Sequence, residues 1–310
     1  MGNKPRVGIV GLGNIAQKAY LPLLTKETNW ELMGAFTPNR NKREKICRQY
    51  RIESFSSLKS LTSQCDAVFV HASTEKHFEI VSYLLSEGKD VYVDKPLAAS
   101  LDEAERLAEV SDKRGRKLMV GFNRRFSPMY RQAKELSKNF AWLHMEKHRA
   151  DSIGPQDFSY TMLDDYLHLV DTVRWLAGFD DLSVTEYFSK INDDGQLVFA
   201  KHSYVEKDRV FTTAMHRRAG SNLEKLEFVN EKSIIRVINL NTLQVEKDNK
   251  VSTLIPPSWE TILTAKGFEG AIHHFFDSIE KDTVPATNGW EALKSQQLLH
   301  EMIVQASKNK

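Results

Sequence analysis

Residues 7–16 read Val7-Gly8-Ile9-Val10-Gly11-Leu12-Gly13-Asn14-Ile15-Ala16, an apolar run that ends in Gly11-x-Gly13-x-x-Ala16. The segment that follows, Gln17 to Lys26, has the texture of a helix. Each position has a physical task at a dinucleotide. Gly11 permits the tight strand-to-helix turn, Gly13 lets backbone approach a pyrophosphate, and Ala16 lets the helix lie close on the strand. The pyrophosphate then sits at the helix N-terminus, where free N–H groups and the helix dipole favour an anion. This places Gly11, Gly13, Asn14 and Ile15 at the ligand. A glycine turn between strand and helix with no ligand is the plain alternative.

Working outward, strands alternate with helical segments. Glu31–Phe36 reads as a strand and Lys42–Tyr50 as a helix. Ala67–His71 is a continuous apolar run, as a parallel strand buried on both faces requires. His77–Ser86 reads as a helix, Asp90–Val93 as a strand, Leu101–Lys113 as an amphipathic helix stopped by Gly115, and Lys117–Gly121 as a further strand. Such alternation means crossover connections and a doubly wound parallel sheet. The expected first domain is a Rossmann dinucleotide-binding domain over residues 1–121.

After Gly121 the texture changes. Residues 140–149, 184–191, 197–205, 209–216, 225–229 and 233–238 are rich in β-branched and aromatic residues, with turn signals such as Asn192-Asp193-Asp194-Gly195 between them. Strands at such short spacing predict a mostly antiparallel, open-faced sheet in an α+β domain over residues 122–284. From about residue 285 to 310 a helix, periodic from Trp290 to Ala306, is expected to pack back on the first domain.

Composition bounds the function. The chain has 310 residues, 41% of them hydrophobic and 27% charged, and a net charge of +2, so nothing points to nucleic acid or a membrane surface. No apolar run approaches the ~20 residues that span a bilayer. Two cysteines, Cys47 and Cys65, are too few for a disulfide framework and suit a reducing cytoplasm. The histidines form no metal-ligand spacing with cysteines or carboxylates, so no metal is expected.

Four local sequences converge in order along the chain: the glycine motif, Asp94-Lys95-Pro96, Gly121-Phe122-Asn123-Arg124-Arg125-Phe126, and Asp164-Asp165-Tyr166-Leu167-His168-Leu169-Val170-Asp171. Together they resemble the Gfo/Idh/MocA family of nicotinamide-dependent oxidoreductases over essentially the whole chain, most closely its MviM-type branch. The resemblance implies that Lys95 lies near the nicotinamide and the reacting carbon, with Asp94 where the family has glutamate. It matches His168 to the family's catalytic histidine, Asp164 to the acid four residues before it, and Asp171 to an aspartate three residues after it. Tyr166 stands where glycine is usual, which narrows the pocket or alters packing. The loop Ala72–His77 resembles the one that passes over the cofactor, with Ser73 and His77 its candidates, and Asn123 joins the cofactor set. Dimers or tetramers through the open sheet face are also implied.

The residues support this chemistry on their own terms. Asp164 and His168 are spaced i, i+4 and share one helix face, so a carboxylate can orient the imidazole. Lys95 can polarise a carbonyl or hold a reacting hydroxyl. The resulting expectation is hydride transfer between a carbinol carbon and nicotinamide, with His168 as acid/base, Lys95 as polarising group and Asp164 as orienter. Simpler roles stand beside these: Asp164 or Asp165 as a helix cap, Asp171 as an i, i+3 partner of Arg174. Past the glycines, the second strand ends in Thr37-Pro38-Asn39-Arg40 with no acid for the ribose hydroxyls. Thr37 and Arg40 suit a 2′-phosphate, favouring NADP(H) over NAD(H).

Basic clusters Lys147-His148-Arg149 and His216-Arg217-Arg218 at strand ends make Arg149 and Arg217, with Tyr166, candidates for contact to a sugar-like, cyclitol-like or anionic substrate. Two other functions fit the same residues: a nucleotide-binding sensor without turnover, and glycoside elimination with a retained nicotinamide. The first has no use for a proton relay.

Overall fold

β1 (Arg6–Val10) is central to its sheet because its side chains are apolar on both faces: Val7, Ile9 and Val10 are almost wholly buried. The computed structural model describes residues 4–26, 29–179 and 182–308. Strands β2 (Glu31–Phe36), β3 (Glu53–Ser54), β4 (Ala67–Val70), β5 (Asp90–Val93) and β6 (Leu118–Val120) join β1 in the order β3-β2-β1-β4-β5-β6. Every neighbouring pair is parallel. The winding reverses between β1 and β4, so a crevice opens at the carboxyl ends of those two strands, where such sheets bind ligands.

Capping explains where the helices begin. Asn39 accepts from the Lys42 N–H, so the helix expected from Lys42 begins at Arg40 and runs to Tyr50. Ser100 caps Leu101–Arg114, and Gly115 closes it at φ +60°. One face of the sheet is covered by a helix from late in the chain, Phe268–Glu280. Its Phe275 meets Phe69 and Tyr92 edge-on, while Phe276 stacks on Trp30 at 4.4 Å.

Among the described residues the second sheet has eight strands: β7 (Phe140–His148), β8 (Val184–Ile191), β9 (Leu197–Glu206), β10 (Arg209–His216), β11 (Leu223–Asn230), β12 (Ser233–Ile238), β13 (Thr242–Lys247) and β14 (Lys250–Leu254). Their order is β14-β13-β12-β11-β7-β10-β9-β8. All neighbours are antiparallel except β7 and β10, which run parallel. Helices Pro128–Leu136 and Leu167–Ala177 pack on one face, burying Leu143, Met145, Phe211, Leu226 and Phe228. The fold is thus α/β with a Rossmann-like parallel sheet and a second, mostly antiparallel one.

The chain divides into two compact units, Met1–Phe122 with Phe268–Leu293, and Asn123–Gly267 with Lys294–Lys310. The expected C-terminal helix is Gly289–Lys308, and from Lys294 onward it groups with the second unit.

Candidate functional site

In the first unit, Gly11 donates its N–H to the Phe36 carbonyl at 2.9 Å and has φ +91°. A Cβ there would stand 2.5 Å from the carbonyl carbon and oxygen of His71, so the protein itself forbids a side chain. Gly13 differs. Its φ is not left-handed, and an added Cβ would find its nearest atom, the His71 oxygen, at 3.9 Å. Nothing in the fold requires glycine there, whereas a phosphate lying on the backbone does. The residues present therefore fit a dinucleotide. The helix starts at Asn14, which is exposed, with Ile15 half-buried, and widens into a π turn over Ala16–Tyr20. Such widened turns are rare and recur at functional sites.

Thr37 and Arg40 lie at the end of β2. The Thr37 carbonyl accepts from Arg43 Nη1 at 2.8 Å, while Arg40 is exposed and pairs with Glu44 at 2.7 Å. Ser73 is exposed at the start of the turn Thr74–Lys76. His77 is buried, with Nδ1 2.8 Å from the Pro96 carbonyl and Nε2 3.2 Å from that of Ala72. Its ring therefore ties a helix start to the Lys95–Pro96 turn, whose peptide bond is cis. This is a positioning task, done through backbone carbonyls. Lys95 is half-buried, and its N–H donates to Asp94 Oδ1 at 2.9 Å. Tyr20 and Tyr92 hydroxyls lie 3.2 Å apart beside Gly121, where a Cβ would also meet Asp94 Oδ1.

In the second unit the helix carrying His168 begins earlier than either predicted aspartate. Asp157 is its cap, accepting from the Tyr160 N–H at 2.7 Å, so Asp164 and Asp165 are free of that task. They sit in a second π turn, Met162–Tyr166, with Asp164 exposed and His168 half-buried on the helix Leu167–Ala177 that follows. Arg124 Nη1 lies 3.0 Å from His168 Nδ1. Arg124 is held in turn by Glu224 through Nε–Oε1 at 2.8 Å and Nη2–Oε2 at 2.9 Å, and Tyr130 donates to the same carboxylate at 3.2 Å. Burial alone would raise the Glu224 carboxyl, but Arg124 outweighs it and holds it down at about 2.

Asp165 is the second anchor. Lys147 reaches it at 2.6 Å, Arg149 forms two bonds at 2.9 and 2.7 Å, and Arg217 adds another at 2.5 Å. Burial works against the ionised form here too, yet Lys147 and Arg149 keep the carboxyl well below the usual range. Lys147 is pushed down to about 8, by burial first and by Arg124 second. Arg149 and Arg217 are thus engaged with Asp165. Tyr166 is fully buried, and its hydroxyl bonds His202 Nδ1 at 2.7 Å and Thr213 Oγ1 at 2.9 Å, so it serves packing rather than a pocket wall. Asn123 is buried and donates to the Lys266 carbonyl at 2.7 Å. Asp171 pairs with Arg125 through two bonds at 2.9 and 2.6 Å, where an ion pair with Arg174 was expected, and Arg174 Nε donates to Ser295 at 3.1 Å. Among the described residues no group of three or more His, Cys, Asp or Glu is placed to hold a metal.

The chain is similar to known proteins over nearly its whole length. Residues 5–122 match the family model described as the oxidoreductase family with an NAD-binding Rossmann fold, and residues 128–248 match the YceM-like C-terminal domain. YceM of Salmonella typhimurium is 44% identical over 297 residues, covering 96% of each chain. A solved dehydrogenase from Clostridium difficile, MviM, superposes with a TM-score of 0.95 at 44% identity, covering 97% of this chain and 99% of that one. The chain belongs to the Gfo/Idh/MocA oxidoreductase family. Inositol 2-dehydrogenase 3 of Saccharopolyspora erythraea is a more distant relative, 24% identical over 304 residues, covering 92% of this chain and 88% of its own. As a member of the Gfo/Idh/MocA family the chain is an oxidoreductase, and its first unit is an NAD(P)-binding Rossmann domain.

The residue patterns missed Glu224 altogether and gave Arg124 no task. One signal was available. On β7 and its extension the inward stripe Leu143, Met145 continues as Lys147, and on β10 Phe211, Thr213, Met215 continues as Arg217. A cation that falls on the buried phase of a strand has to meet a buried carboxylate.

Proposed function

We propose that the protein transfers a hydride between NADP(H) and a carbinol or carbonyl carbon of a small polyhydroxylated substrate, a sugar or cyclitol, anionic forms included. The observation that carries this reading is Gly13, a glycine that the fold leaves without need of one, at the start of a helix beside the β1–β4 crevice. A nicotinamide bound by the first unit would supply the hydride chemistry. The chain's own part is to hold the reacting oxygen and manage its proton. Lys95 supplies a cation for that oxygen, His168 a ring nitrogen, and Asp164, four residues before it, a carboxylate for the same helix face. The inositol dehydrogenases among the relatives support a cyclitol-like substrate. Buried free thiols at Cys47 and Cys65 suit a reducing cytoplasm. A second copy of the chain is the expected partner, through the open face of the second sheet.

Titration of the purified protein with NADPH and NADH, followed by fluorescence, tests the reading. NADPH should bind more tightly, and Arg40→Ala should weaken it roughly tenfold while leaving NADH unaffected. Equal binding of the two overturns the 2′-phosphate assignment. Binding of neither by the folded protein overturns the hydride-transfer reading for this chain.

A further inference from the structure

The buried charge layer of the second unit does not balance. Lys147, Arg149 and Arg217 all bond one carboxylate, Asp165. Arg124 has Glu224 as its counterion, and that residue stands opposite Lys147 in the pairing of β11 with β7. Four cations therefore share two carboxylates. Adding exposed Asp164, the chain neighbour of Asp165, still leaves four to three. Arg218 does not enter the count, because it is matched by Asp151 at the surface. The excess sits where water can do little to offset it. The side chains of Lys147 and Asp165 are 5% and 9% exposed, and those of Arg124, Glu224 and Arg217 are 11%, 10% and 11% exposed. A buried cation without a counterion of its own is costly. Lys147 registers that cost: burial first, and the Arg124 charge second, push its amine down to about 8. Arg149 is the member that meets solvent. Its side chain is 36% exposed, and it bonds Asp165 through Nε and Nη2, which leaves the N–H groups of Nη1 outside that pair.

We propose that this layer is an anion site, which takes an oxyanion group, phosphate or carboxylate, at Arg149 and Lys147, and that the group belongs to the substrate. Arg149 offers planar N–H donors that suit an oxyanion, and Lys147 adds a point charge. The anion supplies the charge that the layer lacks. Neutral molecules of the same shape leave the excess in place, so the layer discriminates against them. The substrate is then a sugar acid or a phosphorylated sugar or cyclitol, not the neutral polyol. That last step rests on the proposed function. The anion site does not, because every residue in it belongs to the second unit.

The test is calorimetric titration of the full chain with inorganic phosphate, at an ionic strength held constant with sodium chloride. The expected result is binding that Arg149→Gln weakens roughly tenfold or more and Arg149→Lys restores in part. Arg218→Gln should leave it unchanged, as should Arg40→Ala, which reports on the first unit. Absence of binding, or binding that Arg149→Gln does not weaken, overturns the anion site. If Arg149→Gln does not fold, Arg149→Lys decides, since full affinity in that variant overturns the site as well. Turnover then compares a sugar acid and a cyclitol monophosphate with the neutral cyclitol. One of the two anions should exceed the neutral compound roughly tenfold or more in kcat/KM, and which one does so distinguishes carboxylate from phosphate. Equal use of neutral and anionic compounds overturns the substrate assignment and leaves hydride transfer standing. Phosphate held through Arg149 by a protein that binds no dinucleotide overturns the proposed function and leaves the anion site standing.

Discussion

Gly11 and Gly13 lack side chains for opposite reasons, and the difference is measurable. At Gly11 the backbone sits at φ +91° and a Cβ would overlap the His71 carbonyl. Gly11→Ala should therefore cost roughly 1–3 kcal/mol in urea unfolding from backbone strain, with the clash adding to it. Gly13→Ala places its methyl in open space, so stability should stay within ~0.5 kcal/mol of wild type. NADPH affinity should nevertheless fall about tenfold or more, since the methyl occupies the line of approach to the backbone. A Gly13→Ala variant that binds NADPH normally would show that no phosphate lies against this glycine. Both glycines were legible because their spacing is local, within three residues of each other. Glu224 was not, because its partner Arg124 stands 100 positions away and only the fold brings them together.

At the scale of elements, most strands and helices of the first unit were readable from period and caps, because a parallel strand buried on both faces has little choice of composition. The second unit yielded less. The helix Pro128–Leu136, with its proline at the first turn, and the hairpin β13–β14 went unread, the latter because β14 is exposed at every residue and shows no alternation. The parallel pairing of β7 with β10 was also hidden, since strand spacing along the chain implies only antiparallel neighbours. What the strands and the His168 helix share is a layer of buried charge, and it has a pH signature. Glu224 and Asp165 both have carboxyls depressed in the folded state, against ordinary values of about 4.3 and 3.9. A depressed carboxyl binds fewer protons folded than unfolded, so its stabilisation is complete above the unfolded value and is lost as pH falls towards the folded one. Unfolding free energy should therefore drop between about pH 4 and pH 2. Glu224→Gln should lower stability at pH 7 by roughly 3–5 kcal/mol, the cost of leaving Arg124 buried and unpaired, and flatten the acid slope. An unaltered slope in that variant would show that the Arg124–Glu224 pair does not titrate with folding.

For the whole molecule the decisive question is what covers the outer face of the second sheet. Register aligns Val205, Val210, Trp142 and Val229 as direct neighbours across β9, β10, β7 and β11, with Ile234 next on β12. Trp142 is 48% exposed, Val205 45% and Val210 41%. Cross-strand neighbours on one face pack as a unit, so these side chains form a continuous apolar row. Along the same face run polar residues in mutual pairs, Glu146 with His144, His148 and Lys225, and Arg236 with Glu227 and Glu246. A row of apolar groups flanked by charges already balanced within the sheet is suited to meet its own copy, because a two-fold axis sets apolar on apolar without stranding a charge. Sedimentation of the wild type should then give a dimer or tetramer, and Trp142→Glu should shift it towards monomer by placing two carboxylates at the centre of the apolar row. The first unit is untouched by that substitution, so NADPH titration should read the same for both forms. A wild type that sediments as a monomer at micromolar concentration, or a Trp142→Glu variant that keeps its assembly, would mean the copies do not meet on this face.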